Sequence, residues 1–157
     1  MTTQELIALL DLKPLPQEGG YYRETYRSAV RGPDGKSAGT AIYYLLTPDT
    51  CSALHRLPTD EVYHFYLGDP VELLLLGPER GAIITLGPDL SSGHQPQFVV
   101  PAGIWQGSYL AGGGTFALMG TTMAPGFEFN DYEAGVRDAL GRDYPLFKER
   151  IERLTAP

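Results

Sequence analysis

Short apolar runs, each closed by glycine or proline, most strongly limit what this chain can fold into. The 157 residues include 19 glycines and 13 prolines, which lie between the runs and mark frequent turns. The runs are rich in Ile, Leu, Val and Tyr, as β-strands are. Short strands at a spacing of roughly 8–12 residues favour a sandwich or a small barrel. This length suits one domain, and we expect a single all-β domain over residues 1–157.

Short helices are predicted at both ends of the chain. Thr2 and Glu5 have the spacing of a capping box, in which each side chain bonds the backbone N–H of the other residue. Pro145 suits the first turn of a C-terminal helix, whose apolar stripe is Phe147, Ile151 and Leu154. The predicted strands between these helices are 21–28, 41–47, 52–57, 61–67, 71–76, 82–86, 97–100, 105–110 and 115–122.

Charge and hydropathy argue against two classes of partner. The formal net charge of -7 argues against nucleic acid, because phosphates are recognised by clusters of Lys and Arg. The longest uninterrupted apolar run, Leu73 to Leu76, is far too short to cross a bilayer, so we expect no membrane partner. Met1 to Glu5 lack the basic start of a secretion signal, and Cys51 is the single cysteine. We therefore expect a cytoplasmic protein without an internal disulfide.

Two sets of residues have a spacing that resembles the two motifs of the cupin superfamily. The sets are His55, Glu61 and Gly68, and Pro101, Gly103 and Gln106. The motifs read His-x-His-x3-Glu-x6-Gly and Pro-x-Gly-x2-His, so Leu57 and Gln106 replace two of the four usual metal ligands. Because an amide is a poor ligand for a transition metal, we expect no metal cofactor. A weak divalent-metal site of His55, Glu61 and Gln106 is the alternative.

Strand alternation predicts which of these side chains share a face. One set is Cys51, Ala53, His55 and Leu57, and a second set, after a turn, is Glu61, Tyr63 and Phe65. In the cupin barrel both sets point inward, which would bring His55 and Glu61 together in an apolar cavity. A buried carboxylate and imidazole are expected to hydrogen-bond or to bind a ligand, although a purely structural pair is the alternative. His64 is out of phase and is expected on the opposite face.

Longer segments narrow the resemblance to one family. They are residues 19–27, 54–57, 60–70, 100–106 and 124–129. Together they resemble the cupin family known as domain of unknown function 985 (DUF985), or cupin-5. The resemblance implies the cupin double-stranded β-helix, or jelly roll, usually paired into a homodimer. The strand predicted at 21–28 fits such pairing, because an edge strand with unpaired backbone N–H and C=O groups can pair with a strand of a second chain.

The resemblance implies a hypothesis about activity. Members of this family are similar in shape to the sugar-nucleotide epimerases and isomerases of the cupin superfamily, whose acid–base chemistry needs no metal. For a reaction of that type on a sugar or sugar-nucleotide derivative, His55 is the candidate base and Tyr63 the candidate acid. Glu61 would orient the imidazole. Further contacts to the small-molecule ligand are expected from Trp105, Gln106, Phe65 and Arg23.

Two alternatives to this activity stay open. One is a non-catalytic protein that binds a small molecule in the same cavity. The other is a metal-dependent cupin enzyme with a reduced ligand set, which ranks lower because such enzymes need about three good ligands. A second titratable group near His55 and a basic cavity mouth would favour the epimerase. A cavity with only aromatic and aliphatic side chains around the His55 and Glu61 pair would favour binding alone.

Overall fold

The computed structural model describes residues 1–157 and contains eleven strands in two antiparallel sheets. The strands are β1 (Lys13–Pro14), β2 (Tyr21–Arg27), β3 (Thr40–Leu46), β4 (Ser52–Arg56), β5 (Glu61–Gly68), β6 (Val71–Leu76), β7 (Gly81–Leu86), β8 (Gln97–Val100), β9 (Trp105–Leu110), β10 (Ala117–Met123) and β11 (Glu133–Ala134). The six-stranded sheet has the order β1-β2-β3-β10-β5-β8, and the five-stranded sheet has the order β11-β4-β9-β6-β7. Strands distant in sequence thus pair side by side, as in a jelly roll. The all-β prediction is confirmed.

The N-terminal helix lies on the outer face of the six-stranded sheet. This helix, α1 (Thr3–Leu9), begins with the predicted capping box: Thr2 N–H donates to Glu5 at 2.7 Å, and Glu5 N–H donates to Thr2 at 3.2 Å. The buried contacts that hold it are Leu6 and Leu12 against Leu45 and Leu118. Its apolar stripe therefore covers one end of the sheet.

Two C-terminal helices cover the outer face of the five-stranded sheet. They are α2 (Arg137–Asp143) and α3 (Lys148–Arg153), joined by a 3₁₀ turn that begins at Pro145. The buried residues of this layer are Leu140, Ile151 and Leu154 against Leu54, Leu74, Leu76 and Tyr109. None of the helices is both long enough and apolar enough to pass through a membrane.

The main core fills the space between the two sheets. Its members include Leu46, Val71, Leu73, Leu86, Val100 and Met119, which are all 1% exposed or less. Each fully buried aliphatic side chain contributes roughly 1.5–3 kcal/mol relative to an exposed one. Tyr44 and Tyr63 belong to the same core, and they also form part of the wall of the cavity described below. Part of the cavity wall is therefore continuous with the main core.

A β-bulge in β4 changes which side chains face the interior. The register with β9 pairs Ser52 with Ser108 and His55 with Gln106, so β4 has one more residue than β9 between the two pairs. An extra residue reverses the alternation of the strand. Ser52 and His55 are both fully buried, whereas Cys51 packs against the cluster beneath the C-terminal helices. The prediction that Cys51 shares the face of His55 is therefore wrong.

Candidate functional site

A cavity of about 240 Å³ lies on the inner face of the six-stranded sheet. Its walls come from β2, β3, β5 and β10, from the loops before β2 and after β10, and from the loop between β4 and β5. Its aromatic members are Tyr22, Tyr44, Tyr63, Phe127 and Phe129, and its polar members are Glu18, Glu24, Thr40, Glu61 and Thr121. Pockets for drug-sized ligands range from about 300 to 1,000 Å³, so this cavity suits a smaller molecule.

Glu61 is the most buried carboxylate of the cavity, with 7% of its surface exposed. It is the first residue of β5, directly after the turn at residues 58–60. The Nε2 amide of Gln106 donates to Glu61 Oε2 at 2.9 Å, and Gln106 Oε1 accepts the hydroxyl of Tyr63 at 2.9 Å. Burial raises the pKa of Glu61, and the charge of Glu18 raises it further. The interaction with His55 and the hydrogen bonds from Thr121 and Gln106 lower the pKa of Glu61.

His55 lies behind the carboxylates and is not among the residues that line the cavity. Its Nδ1 is 2.7 Å from the carbonyl oxygen of Ala53, which only accepts hydrogen bonds, so Nδ1 carries the proton. Its Nε2 faces Glu18 Oε2 at 4.0 Å. The ring stacks on Tyr132 with a centroid separation of 4.9 Å. His55 therefore approaches Glu18 from behind the cavity wall and does not line the cavity.

Tyr63 lines the cavity, but its hydroxyl is already engaged by Gln106. Burial raises the pKa of Tyr63 well above its ordinary value, and the charge of Glu61 adds to this effect. The phenol therefore stays protonated and acts as a fixed donor. This bond also sets the orientation of the Gln106 amide, because its oxygen must face Tyr63 and its nitrogen Glu61.

Glu18 is a cavity residue that the sequence analysis missed. It lies in the loop before β2, where its Oε1 accepts the hydroxyl of Ser52 at 2.6 Å and its backbone carbonyl accepts Ala53 N–H at 2.8 Å. The next residue, Gly19, has a φ of 96°, and a Cβ there would lie 2.5 Å from the carbonyl oxygen of Cys51. A loop residue follows no strand period. The close approach of the two backbone segments is indicated in the sequence only by the adjacent glycines Gly19 and Gly20.

All four residues expected to contact the ligand lie outside the cavity lining: Arg23, Phe65, Trp105 and Gln106. Gln106 lies behind the wall, where it bonds the lining residues Glu61 and Tyr63. Arg23 lies between the inward-facing Tyr22 and Glu24 of β2, so alternation turns it to the outer face, 5.4 Å over the ring of Tyr43. The structure therefore does not place these side chains where they could contact a ligand in the cavity.

Trp105 precedes the inward-facing Gln106 and therefore packs in the cluster beneath the C-terminal helices. Arg56 covers its ring at 4.6 Å and pairs with Glu133 at 2.7 Å. Phe65 packs against the main core, away from the cavity wall. His64 bonds Thr122 on the face opposite Tyr63.

The mouth of the cavity is formed by the loop after β10. Phe127 and Phe129 meet edge to face with centroids 5.1 Å apart. Arg27 fastens this loop, because it donates to the carbonyl of Phe127 at 2.8 Å and pairs with Glu24 and Glu128. No lysine or arginine lines the cavity itself. Of the two features that would favour the epimerase, basic groups are therefore absent from the lining, whereas a second titratable group near His55 is present in Glu18.

The donor set does not fit the metal that the two motifs usually bind. Leu57 lines the cavity and offers no lone pair. Both polar atoms of the Gln106 amide are engaged by Glu61 and Tyr63, and the Nδ1 of His55 is engaged by a carbonyl. No group of three or more His, Cys, Asp and Glu side chains is placed to hold a metal ion. The residues present therefore do not fit the metal that the two motifs usually bind.

Comparisons with known proteins agree on the family and give no activity. The family model described as cupin superfamily (DUF985) matches residues 4–135. The crystal structure of protein SO0799 from Shewanella oneidensis is 35% identical, with a TM-score of 0.93 over 100% of this chain and 99% of that one. A hypothetical protein from Leishmania major is 32% identical, with a TM-score of 0.90 over the full length of both chains.

More distant relatives add little about function. The uncharacterized protein YML079W of Saccharomyces cerevisiae is 30% identical in an alignment of 134 positions that covers 74% of this chain and 67% of the yeast protein. Oxalate decarboxylase from Bacillus subtilis is 18% identical, with a TM-score of 0.57 over 92% of this chain and 37% of that one. At that identity the likeness shows a shared fold alone.

Proposed function

The chain belongs to the cupin superfamily, in the family described as DUF985, and from this premise we propose that its cavity is a metal-independent acid–base site. The cavity binds a small organic molecule, and Glu61 exchanges a proton with it in a reaction of the isomerase or epimerase type. Such a reaction removes a proton from a carbon atom of the ligand and returns it to the same or a neighbouring position.

One observation carries this proposal: a buried carboxyl group with a raised pKa lines the cavity. A general acid or base works best when its pKa lies near the operating pH, and burial moves that of Glu61 in this direction. Glu18 lies beside it in the same cavity. Pairs of titratable groups in one site are the usual arrangement for proton transfer.

The surrounding side chains have positioning roles in this proposal. The chain of hydrogen bonds from Tyr63 through Gln106 fixes the carboxyl group of Glu61. The ring of His55 lies behind the cavity wall, with its Nε2 4.0 Å from Glu18, and it lowers the pKa of Glu61. These roles replace the sequence-based assignment of His55 as base and Tyr63 as acid, since Glu61 contacts the cavity and His55 does not.

The cavity favours a substrate smaller than a sugar nucleotide. A volume of about 240 Å³ is small for a nucleotide, and no arginine or lysine lines the cavity to bind its phosphates. We therefore propose a small, unphosphorylated molecule, such as a simple carbohydrate derivative.

Proton transfer at carbon can be tested without knowing the substrate. The protein is incubated with a small-molecule cell extract in D₂O, and mass spectrometry follows every compound that gains deuterium in its presence. We expect one or a few compounds to gain deuterium with the wild type, and at least a hundredfold slower gain with Glu61→Gln. Glu79→Gln, which removes an exposed carboxylate far from the cavity, is the matched control.

Non-catalytic binding remains the second candidate, because the hydroxyls of Tyr44 and Tyr63 are both engaged within the protein. The ionisable groups of the cavity that are then left for proton transfer are its carboxylates and the hydroxyl of Tyr22. A molecule that co-purifies with the protein, is released on denaturation and gains no deuterium would support this function over the first.

We also propose a homodimer in the cytoplasm. The short β1 pairs only with Tyr21 and Tyr22, so the rest of β2 is an open edge of the six-stranded sheet. Light scattering at micromolar concentration should give about twice the 17.2 kDa mass of the chain. A mass of one chain would contradict the dimer.

A further inference from the structure

We propose that the molecule bound in this cavity is an organic cation, either a protonated amine or a methylated ammonium group. This inference rests on the proposed small-molecule site and names the class of its ligand. The cationic group would lie against Glu61 and Glu18, with the aromatic rings of the cavity around its apolar part.

The charges that line the cavity are all negative. Its ionisable residues other than tyrosine are Glu18, Glu24 and Glu61. Glu24 is neutralised by Arg27 at 2.8 Å, but Glu61 has no ion pair and Glu18 has only the imidazole of His55 at 4.0 Å. Two neighbouring carboxylates in a largely apolar cavity leave negative charge that a ligand cation would compensate.

The hydrogen-bond donors of the cavity are mostly used within the protein. Tyr44 donates its hydroxyl to the carbonyl of Gly19 at 2.8 Å, and Tyr63 donates its hydroxyl to Gln106. The Gln106 amide in turn donates to Glu61. The groups left for a ligand are therefore mainly carboxylate oxygens and ring faces, which both attract cations and repel anions, together with the hydroxyls of Tyr22 and Thr40.

The aromatic walls complete a site of this class. Phe127 and Phe129 stand at an interplanar angle of 78°, and Tyr22, Tyr44 and Tyr63 line other parts of the wall. Ammonium groups bind at ring faces through cation–π attraction, which strengthens when water is excluded. A neutral ligand of the same shape would gain the apolar contacts but neither the ring attraction nor the charge attraction.

Binding of a cation should be coupled to the proton of Glu61. The titratable groups that face Glu61 are Glu18, His55, Tyr44 and Tyr63. Without a ligand, Glu61 keeps a proton to a higher pH than an ordinary carboxyl group. A bound cation favours the carboxylate, so binding releases that proton. Affinity should therefore rise with pH until Glu61 is ionised, by at most tenfold per pH unit.

The test compares a cation with its neutral carbon isostere. Choline and 3,3-dimethyl-1-butanol have nearly the same shape, and choline keeps its charge at every pH. Calorimetric titration of the whole protein should give about tenfold tighter binding for choline. Glu61→Gln and Glu18→Gln should each remove most of this preference. Phe127→Leu should weaken choline a few-fold and leave the alcohol unchanged, while Glu79→Gln should match the wild type.

The outcomes separate this inference from the proposed function. The same comparison with tetramethylammonium and neutral tert-butanol covers smaller ligands. If a neutral member of either pair binds as tightly as the cation, the ligand class is overturned while the cavity remains a binding site. If the choline preference persists in both glutamate variants with unchanged melting temperatures, the assigned carboxylates are wrong. If no probe binds and no molecule co-purifies, the proposed function fails as well.

Discussion

Two carboxylates of this protein, Glu61 and Glu72, show opposite arrangements of their partners. Beneath α3, Glu72 accepts the hydroxyl of Tyr109 at 2.5 Å and lies 3.5 Å from the guanidinium of Arg150. A second guanidinium, that of Arg153, covers the Tyr109 ring at 3.7 Å. In the cavity, by contrast, Glu61 has a neutral amide as partner and a second carboxylate as neighbour.

The difference separates a structural cluster from a site that can act on a ligand. At Glu72 the guanidinium of Arg150 compensates the negative charge, and this ion pair joins α3 to the five-stranded sheet. Around Glu61 the fold supplies hydrogen bonds without compensating cations. A buried charge of this kind either keeps a proton or takes an external partner. Variants that remove one hydrogen-bonding partner of Glu61 or of Glu72 test this difference.

The largest effect is expected for Gln106→Leu. This change leaves the buried hydroxyl of Tyr63 and one buried oxygen of Glu61 without a hydrogen-bond partner. Each unsatisfied group lowers the unfolding free energy by roughly 1–3 kcal/mol. Tyr109→Phe is the matched change near Glu72, where Arg150 remains as a partner, so we expect a loss of roughly 0.5–1.5 kcal/mol. Urea unfolding at pH 7 measures both. Equal losses would contradict the proposed difference between the clusters.

The next effect is the pH dependence that Glu61 adds to stability. Its pKa in the folded protein lies above the ordinary value of 4.5, so the folded state binds the proton more tightly than the unfolded state. This contribution is complete below about pH 4.5 and is lost as the pH rises through the folded pKa.

Glu61→Gln removes that titration. The unfolding free energy of the wild type should therefore fall relative to the variant as the pH rises, by at most about 1.4 kcal/mol per pH unit. Urea unfolding from pH 4 to pH 8 measures this difference, with Glu79→Gln as the reference for loss of an exposed carboxylate. A difference between Glu61→Gln and the wild type that stays constant with pH would show that Glu61 does not titrate in this range.

The smallest effect concerns metal binding. Elemental analysis of the purified wild type after chelation should find no stoichiometric zinc, iron, nickel or manganese, because Leu57 and the engaged Gln106 offer no ligands. Leu57→His adds an imidazole to the cavity near Glu61 and should produce measurable but weak zinc binding. A wild type that keeps stoichiometric metal would overturn the assigned donor set.

Much of the architecture follows from local patterns in the sequence. Turn residues and short apolar runs predict the strands, and the capping box at Thr2 predicts α1. The regular alternation of β5 explains why Glu61 and Tyr63 face the same cavity. The turn at Pro101 and Gly103 leads into β9, which carries Gln106 to the interior. Each of these features depends on residues that are near one another in the chain.

Other parts of the site depend on contacts between distant segments. The bulge in β4 exists only through its pairing with β9, and it turns Cys51 away from the interior while Ser52 and His55 stay inside. Alternation places Arg23 and Trp105 on the face opposite their strand neighbours, and the packing of the sheets decides that this face is the outer one.

The sequence by itself determined a jelly roll whose motif residues include a buried glutamate, because strand alternation and turn chemistry are local properties. The tertiary structure decided the chemistry of the cavity. It brought Glu18 to Ser52, 34 residues away, and placed His55 behind the carboxylates instead of at the ligand. Packing between distant segments decides which loop closes a cavity and which charges that loop contributes. The local periodicity of the sequence does not predict such packing.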